Sequence, residues 1–493
     1  MYKVLLPNEI TTSYFNHIKT KEDEIKYIHD TGKYLYDSID ESGKFSIIIG
    51  NSYSSLFALS LAKTLKENLK DVQIVIYEKI NHDLYIDLLD ECLRYNIPIY
   101  FYENNTVFKD SDIFVEAIQG FNYKEDLSEK DIKLIEYLNE NEIYAVSINC
   151  NFGLNPINGI VKTISIHSNL TISVSYPVPG IFLNDARDYI SVVTTVSIGI
   201  DSKEQYSSIF TENDLNKLFK MRKSNSNKGD FGYTGVFGGS IKYSGAIKLS
   251  NMSLTQLVSG AGVSRVIAPF DICDSILPYL LESTLYPISS NDGYFKYEKD
   301  EIDGALKGLS SVGFGMGIGI TDDNKKILEY ILLNYKNKLL LDADALNLLS
   351  TMDLDILNKS DAKIVLTPHI KEFSRLIKKD VEEIVKDPIK YAREFTEKYK
   401  VVLVLKSNTT IVSCMSRVYL IPYGSVALSK GGSGDILSGV ISGIMGYTDN
   451  LSASLLGVTL FGLAGINALN KNGSYSNLPS DTINELKELM KKY

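Results

Sequence analysis

Tryptophan is absent from the 493 residues, histidine occurs five times and cysteine four times. The missing tryptophan, beside abundant Lys, Asn, Ile and Tyr, matches a codon bias and excludes nothing. Cys92, Cys150, Cys273 and Cys414 lie far apart and form no CxxC pair. That spacing argues against a disulfide framework and a zinc site, and no metal ligand set is expected; it fits a reducing compartment. There is no basic tract, and the formal net charge is −10, so nucleic acid is not an expected partner. Small anions stay possible, because backbone N–H groups hold an anion against the global charge. Met1 to Glu9 lacks a signal-peptide apolar core, and no apolar run of membrane-spanning length stands out. Neither export nor a membrane is expected, and a cytoplasmic location is.

What is present is an ordinary globular composition, 44% hydrophobic and 23% charged. The length suggests about two to three domains. The amino-terminal half alternates helical and apolar extended segments. A helical period over 21–38 is followed by strands at 45–50, 72–77, 97–101, 113–118 and 145–148, with helices at 56–65, 85–95 and 130–139 between them. Such alternation predicts an α/β domain with a parallel sheet covered on both faces. Ligands of such sheets sit at the carboxyl ends of the strands. Here those ends read Asn51-Ser52-Tyr53-Ser54-Ser55, Gln119-Gly120-Phe121-Asn122 and Asn149-Cys150-Asn151-Phe152-Gly153, with Glu116 the one acid. Amides and hydroxyls do not assemble an acid/base pair, so a structural or binding role is expected ahead of catalysis. β-branched residues over 170–200 predict closing strands, and a boundary falls between Asp201 and Thr211. Thr211 then opens a short amphipathic helix that runs into the polar segment 223–227.

The carboxy-terminal half carries the chemistry. A strand ends in Gly238-Gly239-Ser240, and Tyr243-Ser244-Gly245-Ala246 opens a small-residue helix predicted to reach Val258. Gly313-Phe314-Gly315-Met316-Gly317 has glycine at every second position, so it is not a GxGxxG dinucleotide turn. Leu341-Asp342-Ala343-Asp344-Ala345-Leu346-Asn347 is a strand end with two carboxylates and an amide, suited to orienting a ribose, a water or Mg²⁺; capping by Asp344 is the alternative for one of them. Thr367-Pro368-His369-Ile370-Lys371-Glu372 places a rare histidine at another strand end, as a structural group or a catalyst. Lys406-Ser407-Asn408-Thr409-Thr410 follows the strand 401–405 as an exit loop suited to phosphate or adenine-side contacts. Gly431-Gly432-Ser433-Gly434-Asp435 runs directly into the apolar helix that starts at Ile436. Free N–H groups and the helix dipole make this turn an anion site. Asp435 stands at its mouth as a base for a hydroxyl that receives a phosphoryl group. Two further helices are expected over 453–470 and 480–491, the last capped at Ser480 or Asp481.

Taken in order, GDFG, GGSxxYSGA, GxGxG, LDADALN, TPHxxE, LKxxxT and GGSGD resemble the ADP- or ATP-dependent NAD(P)H-hydrate dehydratases of the ribokinase-like superfamily. The resemblance covers about Lys228 to Leu486. It implies a ribokinase-like α/β/α sandwich over 211–493 that restores NADH or NADPH from the hydrated cofactor, acting on the S epimer. It implies Asp435 and His369 as catalytic groups. The nucleotide, ADP or ATP with Mg²⁺, would be held by Lys406, Ser407, Asn408, Thr409, Thr410, Gly431, Gly432, Ser433 and Gly434. The hydrate would be lined by Ala246, Gly313, Gly315, Asp342, Asn347, His369 and Asp435. A homo-oligomer is implied, since relatives are commonly multimeric. Residues 1–205 resemble the epimerase domain often fused to this dehydratase, in architecture only, which implies a Rossmann-like α/β/α sandwich. The family's NNGGDG loop matches Tyr53 to Ala58, putting Phe57 at its Asp; its strand-end Asp is Glu116; its VDIPSG segment has Asn149 for the acid and Phe152 for the Ser. These exchanges predict an epimerase activity that is absent or very weak. A vitamin or sugar kinase of the same superfamily is the alternative enzyme, and a non-catalytic nucleotide-binding scaffold the alternative outside catalysis.

Overall fold

Uninterrupted apolar runs need burial on both faces, and a parallel sheet between helices supplies it. The computed structural model describes residues 1–141, 143–219, 223–256 and 260–493, and separates a unit over 2–208 from one over 209–493. The sheet of the first unit is built of Lys44–Ile49 (β1), Asp71–Ile76 (β2), Ile99–Phe101 (β3), Ile113–Ala117 (β4), Tyr144–Ile148 (β5), Ser168–Val174 (β6) and Ile190–Val196 (β7). They form one sheet in the order β3-β2-β1-β4-β5-β6-β7, with every pair parallel. The alternation of side chains is visible in the core. Ile47, Ile49 and Ile74 join the helices Lys21–Ser38 and Ser54–Glu67 in one cluster. Ile48 and Val75 join Phe108, Leu134 and Ile135 in a second cluster on the opposite face. The segment 170–200, expected to close the domain, extends the parallel sheet by β6 and β7. The order reverses between β1 and β4, so their carboxyl ends open the crevice typical of doubly wound sheets.

The second unit contains Tyr233–Phe237 (β8), Val263–Pro269 (β9), Ser283–Ile288 (β10), Ser311–Phe314 (β11), Lys338–Leu341 (β12), Lys363–Leu366 (β13), Val402–Leu405 (β14), Thr410–Cys414 (β15) and Arg417–Ile421 (β16). Their order is β16-β15-β14-β13-β12-β11-β8-β9-β10. From β14 to β10 the pairs are parallel, and β14-β15-β16 is an antiparallel meander. The sheet is therefore mixed. The segment Lys406–Thr410 is the turn of a hairpin, not only an exit loop. The hairpin from β15 to β16 escapes sequence patterning because its turn has Met415, not glycine or asparagine, at positive φ (55°).

The helix Glu212–Leu218 follows the boundary, and residues 220–222 after it lie outside the described residues. The helix opened by Ser244 is described to Gln256; its expected end at Val258 lies outside the described residues. The last helix, Pro479–Met490, is capped at Leu478, not at Ser480 or Asp481. Asp481 works from the third helical position, its carboxylate accepting the Leu478 N–H at 2.8 Å. The expectation that no apolar run reaches membrane-spanning length is also corrected. Asn450–Ser476 is long and apolar enough by length and composition, but 72% of its most apolar window is buried inside the protein. It is a core helix, with Leu456, Leu460 and Ala464 packed among β-strand residues and the helix Ser433–Met445.

The helices Ser433–Met445 and Ser244–Gln256 lie in close contact. The Ser253 hydroxyl donates to the Ile436 carbonyl at 2.9 Å and the Ser250 hydroxyl to the Asp435 carbonyl at 3.0 Å. A Cβ on Gly439 would stand 2.0 Å from Ser253 Oγ and 2.1 Å from the Ser250 carbonyl oxygen. Gly439→Ala should therefore cost about 1–3 kcal/mol through overpacking. Gly245, which has nothing within 4 Å of an added Cβ, is the contrast: Gly245→Ala should gain up to about 1 kcal/mol in helix propensity. Thermal melts of the two variants should move in opposite directions from wild type.

Candidate active site

The carboxyl ends of β11 to β14 converge on the start of the helix Ser433–Met445. Gly432 takes φ 101°, which lets the chain turn into that helix without a Cβ penalty. The Ser433 N–H donates to the Lys430 carbonyl and that of Ile436 to the Gly432 carbonyl. Between them, the N–H groups of Gly434 and Asp435 have no protein acceptor among the described residues. Two aimed, unpaired donors at a helix N-terminus are an anion site. The other end of this helix is closed by Lys338, whose ammonium donates to the Met445 carbonyl at 2.6 Å and the Thr448 carbonyl at 2.8 Å. A cation there complements the negative pole of the helix dipole.

Asp342, at the end of β12, is only 1% exposed. Its Oδ1 accepts from Lys406 Nζ at 2.8 Å and its Oδ2 from Ser438 Oγ at 2.6 Å. Asp342, expected to line the substrate, is buried, and each of its oxygens accepts from a protein group. Lys406, at the end of β14, holds its ammonium between Asp342, Glu372 and Asp435, and these acids raise its affinity for a proton against the effect of burial. A Cβ on Gly434 would be 3.6 Å from Lys406 Nζ, so the anion site and the ammonium adjoin. Asp344 accepts the Gly319 N–H at 2.8 Å and starts the next helix after Ala343, which is held at φ 50°. A non-glycine residue in that conformation is strained, and it sits between two carboxylates of the site. Asn347 Oδ1 accepts from Arg375 at 2.7 Å.

Asp435 has no protein donor on its carboxylate among the described residues. Burial first, then the charges of Asp342 and Asp344, push its pKa up to about 7; Lys406 opposes them. His369 caps the helix Ile370–Ile377: its Nδ1 accepts the Glu372 N–H at 3.2 Å, and Glu372 Oε2 accepts the His369 N–H at 2.8 Å. Burial and the Lys406 charge lower its pKa, so the ring is neutral near pH 7. With Nδ1 accepting, the proton of the neutral ring is on Nε2.

Among the other residues read from the sequence, Ala246 is half-buried, and a Cβ on Gly317 would stand 2.9 Å from its own. Gly315 has φ 123° and packs on the Asp342 carbonyl. Gly313 lies inside β11, buried in the sheet, where an added Cβ would meet Ser442 Oγ at 2.5 Å. Its need for glycine is packing, and the structure does not bring it to the site. Ser407 and Asn408 are exposed in the β14–β15 turn, Thr409 is buried and Thr410 half-buried. Ser438 was missed; its only signal is the spacing of three from Asp435, which puts both on one helix face.

No group of three or more His, Cys, Asp or Glu able to hold a metal occurs among the described residues.

In the amino-terminal unit the crevice between β1 and β4 is differently furnished. Phe57 is buried against Tyr27 and Tyr53. Glu116 is fully buried, with its pKa pushed up to about 7 by burial, and accepts the N–H groups of Ile118 at 2.8 Å and Phe152 at 3.3 Å. Asn149 donates to Ser54 Oγ and accepts the Val174 N–H, each at 2.8 Å. A pocket of about 200 Å³ remains, walled chiefly by Tyr14, Tyr27, Tyr53, Phe57 and Phe121.

The fold and the site together define a ribokinase-like domain in a chain that also carries a Rossmann-like one. A family model described as NAD(P)H-hydrate dehydratase matches residues 234–488, and one described as YjeF-related protein N-terminus matches residues 25–180. The first spans more than half of the chain, which belongs to the NAD(P)H-hydrate dehydratase family. A bifunctional NAD(P)H-hydrate repair enzyme of Dictyoglomus turgidum is 28% identical over 90% of this chain and 88% of its own length. Its Escherichia coli counterpart is 29% identical over 70% of this chain and 64% of its own. The ADP/ATP-dependent NAD(P)H-hydrate dehydratase of Bacillus subtilis, co-crystallized with ATP/Mg²⁺, is 27% identical with a TM-score of 0.51, covering 58% of this chain and 98% of that one. A ribokinase-like protein of Enterococcus faecalis, 24% identical with a TM-score of 0.52 over 59% of this chain and 98% of its own, shares the fold.

The Asp435 environment sets a pH signature. Below about pH 7 the carboxyl is protonated in the folded protein and cannot accept a proton, so kcat/KM should fall on acidification with a midpoint near 7. Stability runs the other way. The folded state binds this proton more tightly than the unfolded one, so ionised Asp435 destabilises above about pH 7 and the cost vanishes toward pH 4. Asp435→Asn should therefore melt roughly 2–5 °C above wild type at pH 8 and at the wild-type temperature near pH 4.

Proposed function

We propose that the carboxy-terminal unit dehydrates the S epimer of hydrated NADH or NADPH at the expense of ADP or ATP. The observation that carries this is the unbonded Asp435 carboxylate beside two N–H groups without acceptors and the Lys406 ammonium. The hydrate carries a hydroxyl next to the ring nitrogen, and hydroxide leaves poorly. Asp435 takes the hydroxyl proton as the oxygen attacks the terminal phosphorus and the nucleotide's bridging P–O bond breaks. The Gly434 and Asp435 N–H groups and Lys406 stabilise charge on the phosphoryl oxygens. The ring-nitrogen lone pair then expels phosphate, and a ring proton passes to that phosphate or to water, which restores the dihydronicotinamide. His369, whose Nδ1 caps its helix and whose Nε2 stands 3.5 Å from Glu372 Oε1, is assigned to substrate contact. Open space at Gly431, where nothing lies within 4 Å of an added Cβ, and the turn 407–410 support a nucleotide on this side.

The amino-terminal unit we read as a lapsed epimerase. Apolar Phe57 and Phe152 stand where the resemblance requires a loop carboxylate and a hydroxyl, and Glu116 and Asn149 spend their polar atoms on the fold. Four thiols, none paired and three of them buried, support a reducing, cytoplasmic setting.

The test is absorbance at the dihydronicotinamide band, with hydrated NADH as substrate and ADP or ATP supplied in turn. Recovery in wild type and not in Asp435→Asn is expected, with inorganic phosphate released and the S epimer alone consumed. Persistence of the R epimer beyond its spontaneous interconversion is expected of the lapsed domain. No recovery with either nucleotide would reject the dehydratase reading.

A further inference from the structure

Ser438 lies three residues after Asp435 on the helix Ser433–Met445, so the two side chains share a face. It is completely buried, and its hydroxyl donates to Asp342 Oδ2 at 2.6 Å. The other oxygen of that carboxylate accepts from Lys406 at 2.8 Å. Asp342 is thus gripped from two sides, by a hydroxyl on the helix that carries the base and by an ammonium on β14. We propose that Ser438 is a positioning residue for the reaction: by fixing Asp342 Oδ2 it holds the Asp342–Lys406 pair where the pair acts on Asp435 and on the transferred phosphoryl group. The inference rests on the dehydratase reading.

The charged groups around Asp435 are Asp342, Lys406 and Asp344, and Lys406 also faces Glu372, which His369 caps. The Ser438 hydroxyl draws charge from Oδ2 and orients it. Without that donor, Asp342 turns its negative charge more fully on Asp435, which then keeps its proton to higher pH. Lys406 follows the released carboxylate away from the phosphoryl position. The hydroxyl is therefore needed when the proton moves and charge develops. The contacts that hold the ground-state nucleotide, at the 407–410 turn and the helix N–H groups, are untouched. That separates kcat from KM.

The test uses the full chain with Ser438→Ala, Ser438→Cys and Ser442→Ala. Ser442 is the matched control: one turn further along the helix, buried, its hydroxyl without a hydrogen-bond partner. Ser438→Ala should lower kcat roughly tenfold, the kinetic equivalent of one charge-assisted hydrogen bond, with the nucleotide KM little changed. The acid midpoint of kcat/KM should move up by about half a pH unit. Ser438→Cys, nearly isosteric and a weak donor, should fall between alanine and serine, and Ser442→Ala should match wild type in both readouts. Equal kcat and midpoint for Ser438→Ala and Ser442→Ala would overturn the proposal. So would a loss of kcat in the Ser438 variants that follows a fallen melting temperature with the midpoint unmoved. If the alanine variant fails to fold, the cysteine variant decides by the same two readouts. A wild type inactive with either nucleotide would reject the dehydratase reading and this inference together; an active wild type with an unresponsive Ser438 rejects this inference alone.

Discussion

The carboxy-terminal site depends on how closely the helix Ser433–Met445 approaches its neighbours. Only small residues allow it: Gly439 against Ser250 and Ser253, and Ser442 against Gly313. The approach lets Ser250 and Ser253 bond the carbonyls of Asp435 and Ile436, while Lys338 fastens the far end. A helix held at both ends points its two free N–H groups in a fixed direction. Preorganised donors of that kind stabilise developing charge without reorganising at the moment of reaction. The same rigidity keeps Asp435 facing two other carboxylates, a placement that destabilises the fold and that a loosely packed helix would relax. Stability is given up locally to keep an unbonded carboxyl poised near neutral pH.

How far the sequence disclosed this depended on whether a residue's role was local. Gly431 to Asp435 could be read because a glycine turn entering an apolar helix has few other uses. The amino-terminal strands could be read because parallel strands buried on both faces are continuous apolar runs. Asp342 could be placed at a strand end but not given its protein partners: Lys406 and Ser438 are 64 and 96 residues away, and no local pattern reports such pairing. Gly313 shows the same limit in reverse, since its glycine serves a helix that enters far later in the chain. The β15–β16 hairpin was lost because Met415 occupies a turn position where glycine or asparagine gives the usual signal.

His369 illustrates how structure narrows a choice that sequence leaves open. Its position at a strand end beside Glu372 allowed either a cap or a catalyst, and the geometry makes it a helix cap. The capping bond consumes Nδ1 and fixes the tautomer, and the remaining ring N–H is then on Nε2, 3.5 Å from Glu372 Oε1. A structural task thereby dictates the chemical one.

Two acids in this chain are pushed up to about the same pKa, near 7, by burial: Glu116 and Asp435. A perturbed carboxyl is a common mark of an active site, yet only one of these has the geometry for chemistry. Glu116 is fully buried and its oxygens accept backbone N–H groups from β4's exit turn and from Phe152, so it ties two strand ends together. Asp435 is incompletely buried and unbonded, and stands beside donors that themselves lack acceptors. An acid that is fully buried and already accepts backbone N–H groups is held by the fold and out of a substrate's reach. One that is destabilised and unsatisfied gains hydrogen bonding only when a substrate arrives. The difference between the two units, one proposed to have lost its chemistry and one to have kept it, is therefore a difference in unspent hydrogen-bonding capacity at the ends of otherwise similar sheets.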